Sequence, residues 1–336
     1  MIRFSQLVES DLPELLEFSA TWFGGGQYQA LPEYVRWLYP NNAFSNEASC
    51  LIAKEDGGGI VGCIHIMRLE AWNGVQSFKI NSLQNLMMAE NYRGGAGLLL
   101  LRKALKNADI SIAPGVAGDL ATAYSELGYQ KVMSFWGRKI LQPVSVAKTL
   151  LNNKIFKMRY QIDVPTKMLR RETALEIGIY PDDDICNQLA ERLQARDLRR
   201  GECSLCWTGS RVKWRFFEEN GPRHVLICNK ENTEFCIASI GMRHGFCIGR
   251  PIEWVEEGHS KFLSAAITAL ANIGVQICLG YSTHPMDIEA LRASGFKAIK
   301  NSPSTFTINK NGVSDAILIT SGATDIGFES FSTRFV

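Results

Sequence analysis

Three glycines, Gly94, Gly95 and Gly97, lie directly before a leucine-rich stretch in the segment ENYRGGAGLLLLRKAL (residues 90–105). Glycine loses more conformational freedom on folding than any other residue, so this cluster indicates a specific requirement on the backbone. The first turn of a helix exposes unpaired N–H groups and carries partial positive charge, and a glycine-rich turn brings successive N–H groups together. The segment is therefore predicted either to bind a phosphate group or to form a tight strand-to-helix turn without a ligand.

The glycine segment differs from two common phosphate-binding sequences. It lacks the Gly-Lys-Ser/Thr ending of a Walker loop. The dinucleotide fingerprint GxGxxG follows the first strand of a βαβ unit, whereas the strand that precedes Gly94 is predicted to be the fourth of its domain. Neither a Walker-type nucleotide site nor a dinucleotide site is therefore indicated.

The length and the charge of the chain limit the classes of function. Its 336 residues favour two domains of about 150–170 residues each. The 36 lysines and arginines against 34 acidic residues give a net charge of +2, whereas a protein that binds nucleic acid by charge is expected to be more basic. No apolar run reaches the roughly 18 residues that a transmembrane helix needs. We therefore expect neither a nucleic-acid partner nor membrane insertion.

The N-terminal residues and the cysteines indicate in which cellular compartment the protein is expected. The N-terminal segment 1–18 has acidic residues where a signal peptide would be apolar. The nine cysteines are an odd number and most lie in apolar stretches, which favours reduced, buried thiols. Cys203 and Cys206 have the spacing of metal ligands, but no second Cys/His pair accompanies them, so we predict no metal site. Together these features favour the cytoplasm.

The predicted elements form an α/β pattern that repeats once along the chain. The two halves end alike, because YSELGYQKV (124–132) and LRASGFKAI (291–299) each combine a helix, a glycine, an aromatic residue and a strand. An internal duplication with a period of about 170 residues is the simplest interpretation. We therefore predict an N-terminal domain over 1–145, a connector over 146–171 and a C-terminal domain over 172–336.

The segment AENYRGGAGLLLLRKAL (89–105) resembles the pyrophosphate-binding motif of the GNAT superfamily of acyl-CoA N-acyltransferases, in which an aromatic residue and Arg-Gly-x-Gly-x-Gly precede a leucine-rich helix. Arg93 opens the motif, Ala96 stands at a glycine position and Leu98 stands at the last glycine. The segment TAYSELGYQKV (122–132) resembles the second signature of the family. The resemblance covers about 140 residues and implies two tandem GNAT-like domains, each a mixed twisted sheet flanked by helices.

The same resemblance implies a set of site residues. An acyl-CoA, with acetyl-CoA as the first choice, is expected as the co-substrate. A backbone N–H at Met88 or Ala89 would stabilise the developing charge on the thioester oxygen. Tyr124 stands where a phenol protonates the departing sulfur, unless it is a packing residue. The residues expected to hold the CoA are Met88, Ala89, Arg93, Gly94, Gly95, Ala96, Gly97 and Leu98.

The general base cannot be recognised from the sequence. The stretch NSLQNLMM (81–88) offers Ser82, Gln84 and Asn85 where some members of the family have a glutamate, but it contains no carboxylate. His65 is the single histidine of the predicted first domain and is the second candidate catalytic residue, although a lone histidine in a strand is more often structural. Deprotonation of the amine by water, without a dedicated base, also stays open.

The second half of the chain departs from the motif. The segment EWVEEG (253–258) precedes the corresponding helix, and Glu256 and Glu257 would repel a pyrophosphate. We therefore expect only the N-terminal domain to bind CoA. The segments RVKWRFFEE (211–219) and DAILITSGATDIGF (315–328) resemble parts of tandem GNAT-like enzymes of bacterial surface-glycan assembly.

These observations lead to one main hypothesis and two alternatives. The main hypothesis is a cytoplasmic N-acyltransferase that moves an acyl group from acyl-CoA to a small amine, for which a nucleotide-linked amino sugar of surface-polysaccharide biosynthesis is the suggested acceptor. The first alternative is an aminoacyl transferase of cell-wall or thiol biosynthesis. The second is a non-catalytic acyl-CoA sensor. The sequence leaves the acceptor, the acyl chain length and the oligomeric state open.

Overall fold

The described residues of the computed structural model form two compact units. The first comprises Met1–Met133, Arg200–Cys206 and the segment that begins at Ser302, and the second comprises Ser134–Arg199 and Trp207–Asn301. Within the predicted connector, 157–171 lies outside the described residues, as does the segment 315–328. The structure describes residues 1–24, 27–39, 50–106, 108–116, 118–156, 175–178, 181–200, 203–219, 221–243, 245–257 and 261–309.

Strands and helices alternate along much of the described chain, as the sequence predicts. The helices are α1 (Leu12–Ser19), α2 (Pro32–Leu38), α3 (Gly95–Ala104), α4 (Gly118–Glu126), α5 (Pro143–Phe156), α6 (Asp183–Arg199), α7 (Gly209–Val212), α8 (Phe262–Asn272) and α9 (Pro285–Ala293). The strands are β1 (Ile2–Gln6), β2 (Cys50–Glu55), β3 (Ile60–Trp72), β4 (Ser77–Met88), β5 (Ile110–Val116), β6 (Gln130–Val132), β7 (Phe135–Ile140), β8 (Leu175–Gly178), β9 (Ser204–Leu205), β10 (His224–Asn229), β11 (Phe235–Arg243), β12 (Phe246–Val255), β13 (Ile277–Ser282), β14 (Lys297–Ala298) and β15 (Ser304–Asn309).

The first unit is built on a mixed sheet in the order β1-β2-β3-β4-β5-β15-β6, with β9 paired to β3. Only β4 and β5 run parallel among these neighbours. On one face, here called the α3 face, Ile64 and Leu83 pack with Leu101 of α3. On the other, the α1 face, Cys50 and Cys63 pack with α1. Helices cover both faces, which explains why β3 is an almost continuously apolar strand.

The second unit has the same plan. Its sheet follows the order β14-β7-β13-β12-β11-β10-β8, and β12 and β13 are its parallel pair. Helices α8 and α9 cover one face of this sheet, where Ile267 and Leu291 pack against Ala238 and Cys278. Two mixed sheets flanked by helices are therefore present, in agreement with the predicted fold class.

Both sheets include strands that lie far along the chain from their neighbours, and β9 is one of them in the first sheet. Strand β15 lies between β5 and β6 in the first sheet, and β7 lies between β13 and β14 in the second. The sequence places β7 at the end of the first domain, but its hydrogen bonds join Phe135–Ile140 to β13 and β14. A linear division near 146–171 therefore does not follow the sheets. Strand signals are local, whereas the choice of partner depends on which sheet edge is open.

The Cys203–Cys206 segment has a structural place in the first unit. It contains β9, which pairs with Ala71 and Trp72 of β3, and the Cys206 N–H donates to the Glu70 carbonyl at 2.7 Å. All nine cysteines are free thiols and eight are buried. In the described part of the chain, no group of three His, Cys, Asp or Glu side chains could hold a metal ion. None of the described helices has both the length and the apolar character of a bilayer span.

Candidate functional site

The glycine segment joins β4 to α3 through a short turn. A single 3-10 turn over Glu90–Tyr92 follows β4, and Gly94 then adopts φ 87° and ψ −118° directly before the helix. Residues that have a side chain rarely adopt this backbone conformation, so glycine is required at position 94. The helix begins at Gly95, within the glycine cluster, and the Leu98 N–H donates to the Gly94 carbonyl at 3.0 Å.

The first turn of α3 is open on its outer side. A Cβ atom built on Gly94 or Gly95 meets nothing within 4 Å, whereas one on Gly97 would lie 3.3 Å from the Met88 Cγ atom. No acidic residue lies in this turn, and no side chain caps it at Gly94. Because the first N–H groups of a helix lack partners within it, this turn can hold an anion. Glycine is favoured at position 97 for a different reason, since the lack of a side chain there lets α3 approach β4 closely.

Strands β4 and β5 separate beside this turn. They pair only from Ile80 to Ser82 of β4, opposite residues 110–112 of β5, although β4 continues to Met88. Parallel neighbours normally keep an even ladder of hydrogen bonds. The early end of the pairing leaves the last six residues of β4 without β5 beside them, next to the start of α3.

The backbone N–H groups of Met88 and Ala89 point to opposite edges of β4. The Ala89 N–H donates to the Val61 carbonyl at 2.8 Å, so it is not free to act as an oxyanion donor. Met88 and Gly62 are therefore a non-hydrogen-bonded pair of the antiparallel ladder. The Met88 N–H then points to the opposite edge of β4, toward the β5 side where pairing has ended. Of the two residues that the sequence offered for this role, the geometry selects Met88.

A β-bulge in β4 interrupts its pairing with β3. His65 faces Gln84 and Cys63 faces Met87, so one residue of β3 lies opposite two of β4. Asn85 at the bulge has φ 52°, a conformation that asparagine tolerates better than most residues. Its Oδ1 atom accepts from the Tyr28 hydroxyl at 3.1 Å and from a side-chain amide at 2.9 Å. These bonds fix the bulge to the turn before α2.

Tyr124 of α4 lies on the α3 face of the sheet. Its ring packs edge-on against Tyr129 and is stacked on Phe306 of β15. The same core contains Leu83 and Ala113, the first residues after β4 and β5 separate. Burial raises the pKa of the Tyr124 phenol well above its ordinary value, so the hydroxyl stays protonated at neutral pH.

His65 lies on the α1 face, so the sheet separates it from Tyr124. It forms a row across three strands with Cys50 and Gln84, its partners on β2 and β4. The Nδ1 atom of His65 lies 2.6 Å from the Tyr39 hydroxyl. Burial lowers the pKa of His65 to about 4. A group with this pKa is poorly matched to proton abstraction at neutral pH, so the structure favours hydrogen bonding over general-base catalysis for His65.

The corresponding turn of the second unit is occupied by the protein itself. Oε1 of Glu256 accepts from the Leu263 N–H at 2.7 Å, in the first turn of α8. A carboxylate thus sits where α3 of the first unit has open space. Glu257 points elsewhere and pairs with Arg192 at 3.3 Å. The sequence predicted that Glu256 would repel a pyrophosphate at the start of α8. The structure adds that the Glu256 carboxylate is itself hydrogen-bonded to this helix start.

The structure adds site features that sequence reasoning did not identify. The Met88 amide direction depends on the β3–β4 register, and the opening depends on where β5 leaves β4. Tyr39 reaches His65 from the end of α2, which no motif indicates. The sequence contains one weak indication of the bulge in β4, which is the Gln84-Asn85 pair. Asparagine within an extended stretch is compatible with a bulge.

Comparisons with known proteins give matches in structure. No protein-family model matches the chain, and no curated protein does. A GCN5-related N-acetyltransferase from Kribbella flavida is 18% identical with a TM-score of 0.57, over 93% of this chain and 72% of that chain. One from Anabaena variabilis is 15% identical with a TM-score of 0.56, over 93% and 73%.

A further match is the N-myristoyltransferase of Saccharomyces cerevisiae with bound myristoyl-CoA. It is 10% identical with a TM-score of 0.60, over 92% of this chain and 82% of that chain. At these identities the similarity concerns the fold. The chain has the fold of GCN5-related acyltransferases, and its open α3 turn and its separated strands are features of its own structure.

Proposed function

We propose that this protein is an N-acyltransferase that transfers an acyl group, with acetyl as the first choice, from acyl-CoA to the amine of a small substrate. One observation carries the proposal: the open first turn of α3 lies at the end of β4, where β4 and β5 have separated. Such a turn suits a pyrophosphate, and the gap between the strands suits the extended arm that connects it to the thioester. The GCN5-related fold of the matched structures supports the same function.

The residues that would hold the CoA are grouped at one place in the first unit. Arg93, Gly94 and Gly95 are exposed, and Ala96, Gly97 and Leu98 are half-buried at the start of α3. The N–H groups of the first turn would bind the pyrophosphate, and the Arg93 guanidinium adds positive charge beside it. Ala89 would lie beside the bound CoA without donating a hydrogen bond to it, since its N–H donates to Val61.

The chemistry needs few groups from the protein. The thioester supplies the acyl carbon, to which the amine nitrogen bonds as the C–S bond breaks. The Met88 N–H would donate to the carbonyl oxygen as it gains negative charge. Tyr124 would donate its phenolic proton to the departing sulfur and recover one from the amine through solvent. Holding the two reactants together supplies most of the acceleration.

We further propose that the second unit does not bind CoA, because Glu256 already fills the first turn of α8. The acceptor that we suggest is a nucleotide-linked amino sugar in the cytoplasm, on the basis of the resemblance of 211–219 and 315–328 to enzymes of surface-glycan assembly. An aminoacyl transferase is the first alternative. An acyl-CoA sensor is the second, and it is favoured by the lack of a recognisable base.

Calorimetry with acetyl-CoA on Gly95→Asp and Gly95→Asn tests the phosphate site. Both side chains have nearly the same shape and enter open space, and aspartate is favourable at a helix start, so neither variant should unfold. The added charge should weaken binding by Gly95→Asp at least tenfold relative to Gly95→Asn. Equal affinity of wild type and Gly95→Asp would contradict the assignment of this turn.

Thiol release separates the candidate functions. Release of CoA that depends on an added amine supports the transferase, whereas binding of acetyl-CoA without release with any amine supports the sensor. Transfer of an aminoacyl group from an aminoacyl ester to the amine, without release of a thiol from acetyl-CoA, supports the aminoacyl transferase.

A further inference from the structure

We propose that Gln29, His65 and Gln84 form a subsite for hydroxyl groups beside the acceptor amine, and that the acceptor is therefore an uncharged amino polyol or amino sugar at this point. This inference rests on the proposed function, since it concerns the substrate of the same site. It adds residues and a chemical class that the fold does not supply. Three features of the α1 face carry it: polar atoms without partners, a partly exposed bulge beside them and, among the described residues, hydrogen bonds made by neutral groups.

Three buried polar side chains on this face have an atom without a hydrogen-bond partner. They are Nε2 of His65, Oε1 of Gln84 and Oε1 of Gln29, and each side chain is at least nine-tenths buried. Among the described residues, none donates to or accepts from these atoms. An unpaired buried polar group is costly, so three in one region indicate a missing partner.

The three side chains belong to one contiguous cluster. His65 and Gln84 are direct cross-strand partners and so lie side by side on the α1 face. Gln29 donates through Nε2 to the Asn85 Oδ1 atom at 2.9 Å. The amide of Asn85 in turn donates to the Tyr34 hydroxyl at 3.4 Å, and the Tyr34 ring lies 5.7 Å from the His65 ring.

The bulge beside this cluster is partly exposed. Asn85 and Met87 are partly exposed although β4 is a central strand of the sheet. Partly buried aromatic residues border the same face, namely Trp22, Phe23 and Tyr39. Apolar and aromatic walls with a few inward polar atoms are typical of sites for small molecules.

The hydrogen-bonding roles define the ligand. Burial raises the pKa of Tyr39 and lowers that of His65, so both are neutral at pH 7. We assign the Tyr39 hydroxyl as donor to Nδ1 of His65, which leaves the proton on Nε2. The free groups are then one donor, from His65, and two acceptors, from Gln84 and Gln29. Two neighbouring hydroxyl groups satisfy all three, because each hydroxyl both donates and accepts.

The charge of the cluster excludes other acceptor classes. Among the described residues, its hydrogen bonds are made by amides, hydroxyl groups and a neutral imidazole. The carboxylates of Asp11 and Glu14 pair with Lys54. A second ammonium group, as in a diamine, would be buried without a counter-charge. A secondary peptide amide offers one donor, so it would leave one glutamine oxygen unpaired.

The test compares three amines with the wild-type enzyme and acetyl-CoA, with thiol release as the readout. The probes are glucosamine, 1,5-diaminopentane and glycinamide. We expect kcat/KM to be highest for glucosamine by at least tenfold. A preference for the diamine or for glycinamide overturns the subsite and leaves the transferase intact. Acetyl-CoA binding without turnover of glucosamine also overturns the subsite. Failure of acetyl-CoA to bind overturns the proposed function itself.

Two substitutions at Gln84 distinguish a ligand contact from a structural role. Gln84→Met removes the unpaired oxygen, so the melting temperature should hold while kcat/KM for glucosamine falls about tenfold. Gln84→Glu should lower kcat/KM for glucosamine and raise it for the diamine. Gln76→Glu adds the same charge on the exposed β3–β4 turn and should change neither. A lower melting temperature of Gln84→Met together with unchanged turnover would show that Gln84 has a structural role, and would overturn the subsite.

Discussion

Tyr124 and Tyr129 show how two similar side chains in one core can have separate roles. Their rings are 5.0 Å apart and burial raises the pKa of both phenols. Tyr129 donates its hydroxyl proton to the Ser111 Oγ atom at 3.1 Å, a bond that connects the turn after α4 to β5. For Tyr124 we propose proton donation to the departing sulfur. The two tyrosines therefore form a matched pair for mutagenesis.

We expect Tyr124→Phe to reduce turnover by about 10–100-fold without a change in acetyl-CoA affinity, since only proton transfer to sulfur is lost. Steady-state thiol release and calorimetry measure the two quantities. Tyr129→Phe is the control, and it should cost about 1 kcal/mol of stability while turnover is retained. Equal turnover in wild type and Tyr124→Phe would make Tyr124 a packing residue.

Residue types alone predicted some of this site. Gly94 could be singled out because a positive φ at a helix start favours glycine, and that requirement is local. His65 and Gln84 could be named but not interpreted, since their roles depend on the bulge and on Tyr39. The sequence could not show that the Ala89 N–H donates to Val61, because the edge to which an amide points follows from the register.

The helices α3 and α8 differ in how their first turns are satisfied. In α3 the turn is made of glycine and alanine and has no side-chain cap. In α8 the Glu256 carboxylate accepts from the Leu263 N–H, seven residues further along the chain. A carboxylate at a helix start occupies an N–H group there, and its negative charge repels a second anion. One carboxylate thus distinguishes the first turn of α8 from the open first turn of α3.

We expect Glu256→Ala to destabilise the protein by about 1 kcal/mol, the usual effect of losing a cap at a helix start. Acetyl-CoA affinity should be unchanged, because the proposed site is on α3. Chemical denaturation and calorimetry measure these effects. Glu257→Ala serves as the comparison, since its exposed ion pair with Arg192 contributes little. A large loss of CoA affinity in Glu256→Ala would contradict the assignment of binding to the first unit.

At the scale of the whole molecule, neither sheet is formed by one continuous stretch of chain. Without β15, strand β6 would lose the strand with which Gln130–Val132 pairs, and the β5 edge would be left open. Phe306 of β15 also belongs to the core around Tyr124. The end of the described chain therefore completes the unit that contains the candidate site.

We expect a fragment of residues 1–133 to aggregate or to unfold without cooperativity, because an open central edge and an incomplete core remain. The same fragment joined to residues 302–309 by a Gly/Ser linker should be more soluble and should melt cooperatively. A fusion with residues 302–309 in scrambled order is the control. Cooperative melting of 1–133 by itself at the temperature of the fusion would show that β15 is dispensable.

The sequence by itself determined the α/β class, most of the elements and the glycine turn before α3, since propensities and turn requirements act over a few neighbouring residues. Tertiary structure alone decided that β7 and β15 join distant sheets, that β4 separates from β5 and that Glu256 reaches α8. These features arise from hydrogen bonds and packing between residues far apart in the chain. Their geometry has no local signature, because it depends on which edges and helix ends remain open when the elements assemble.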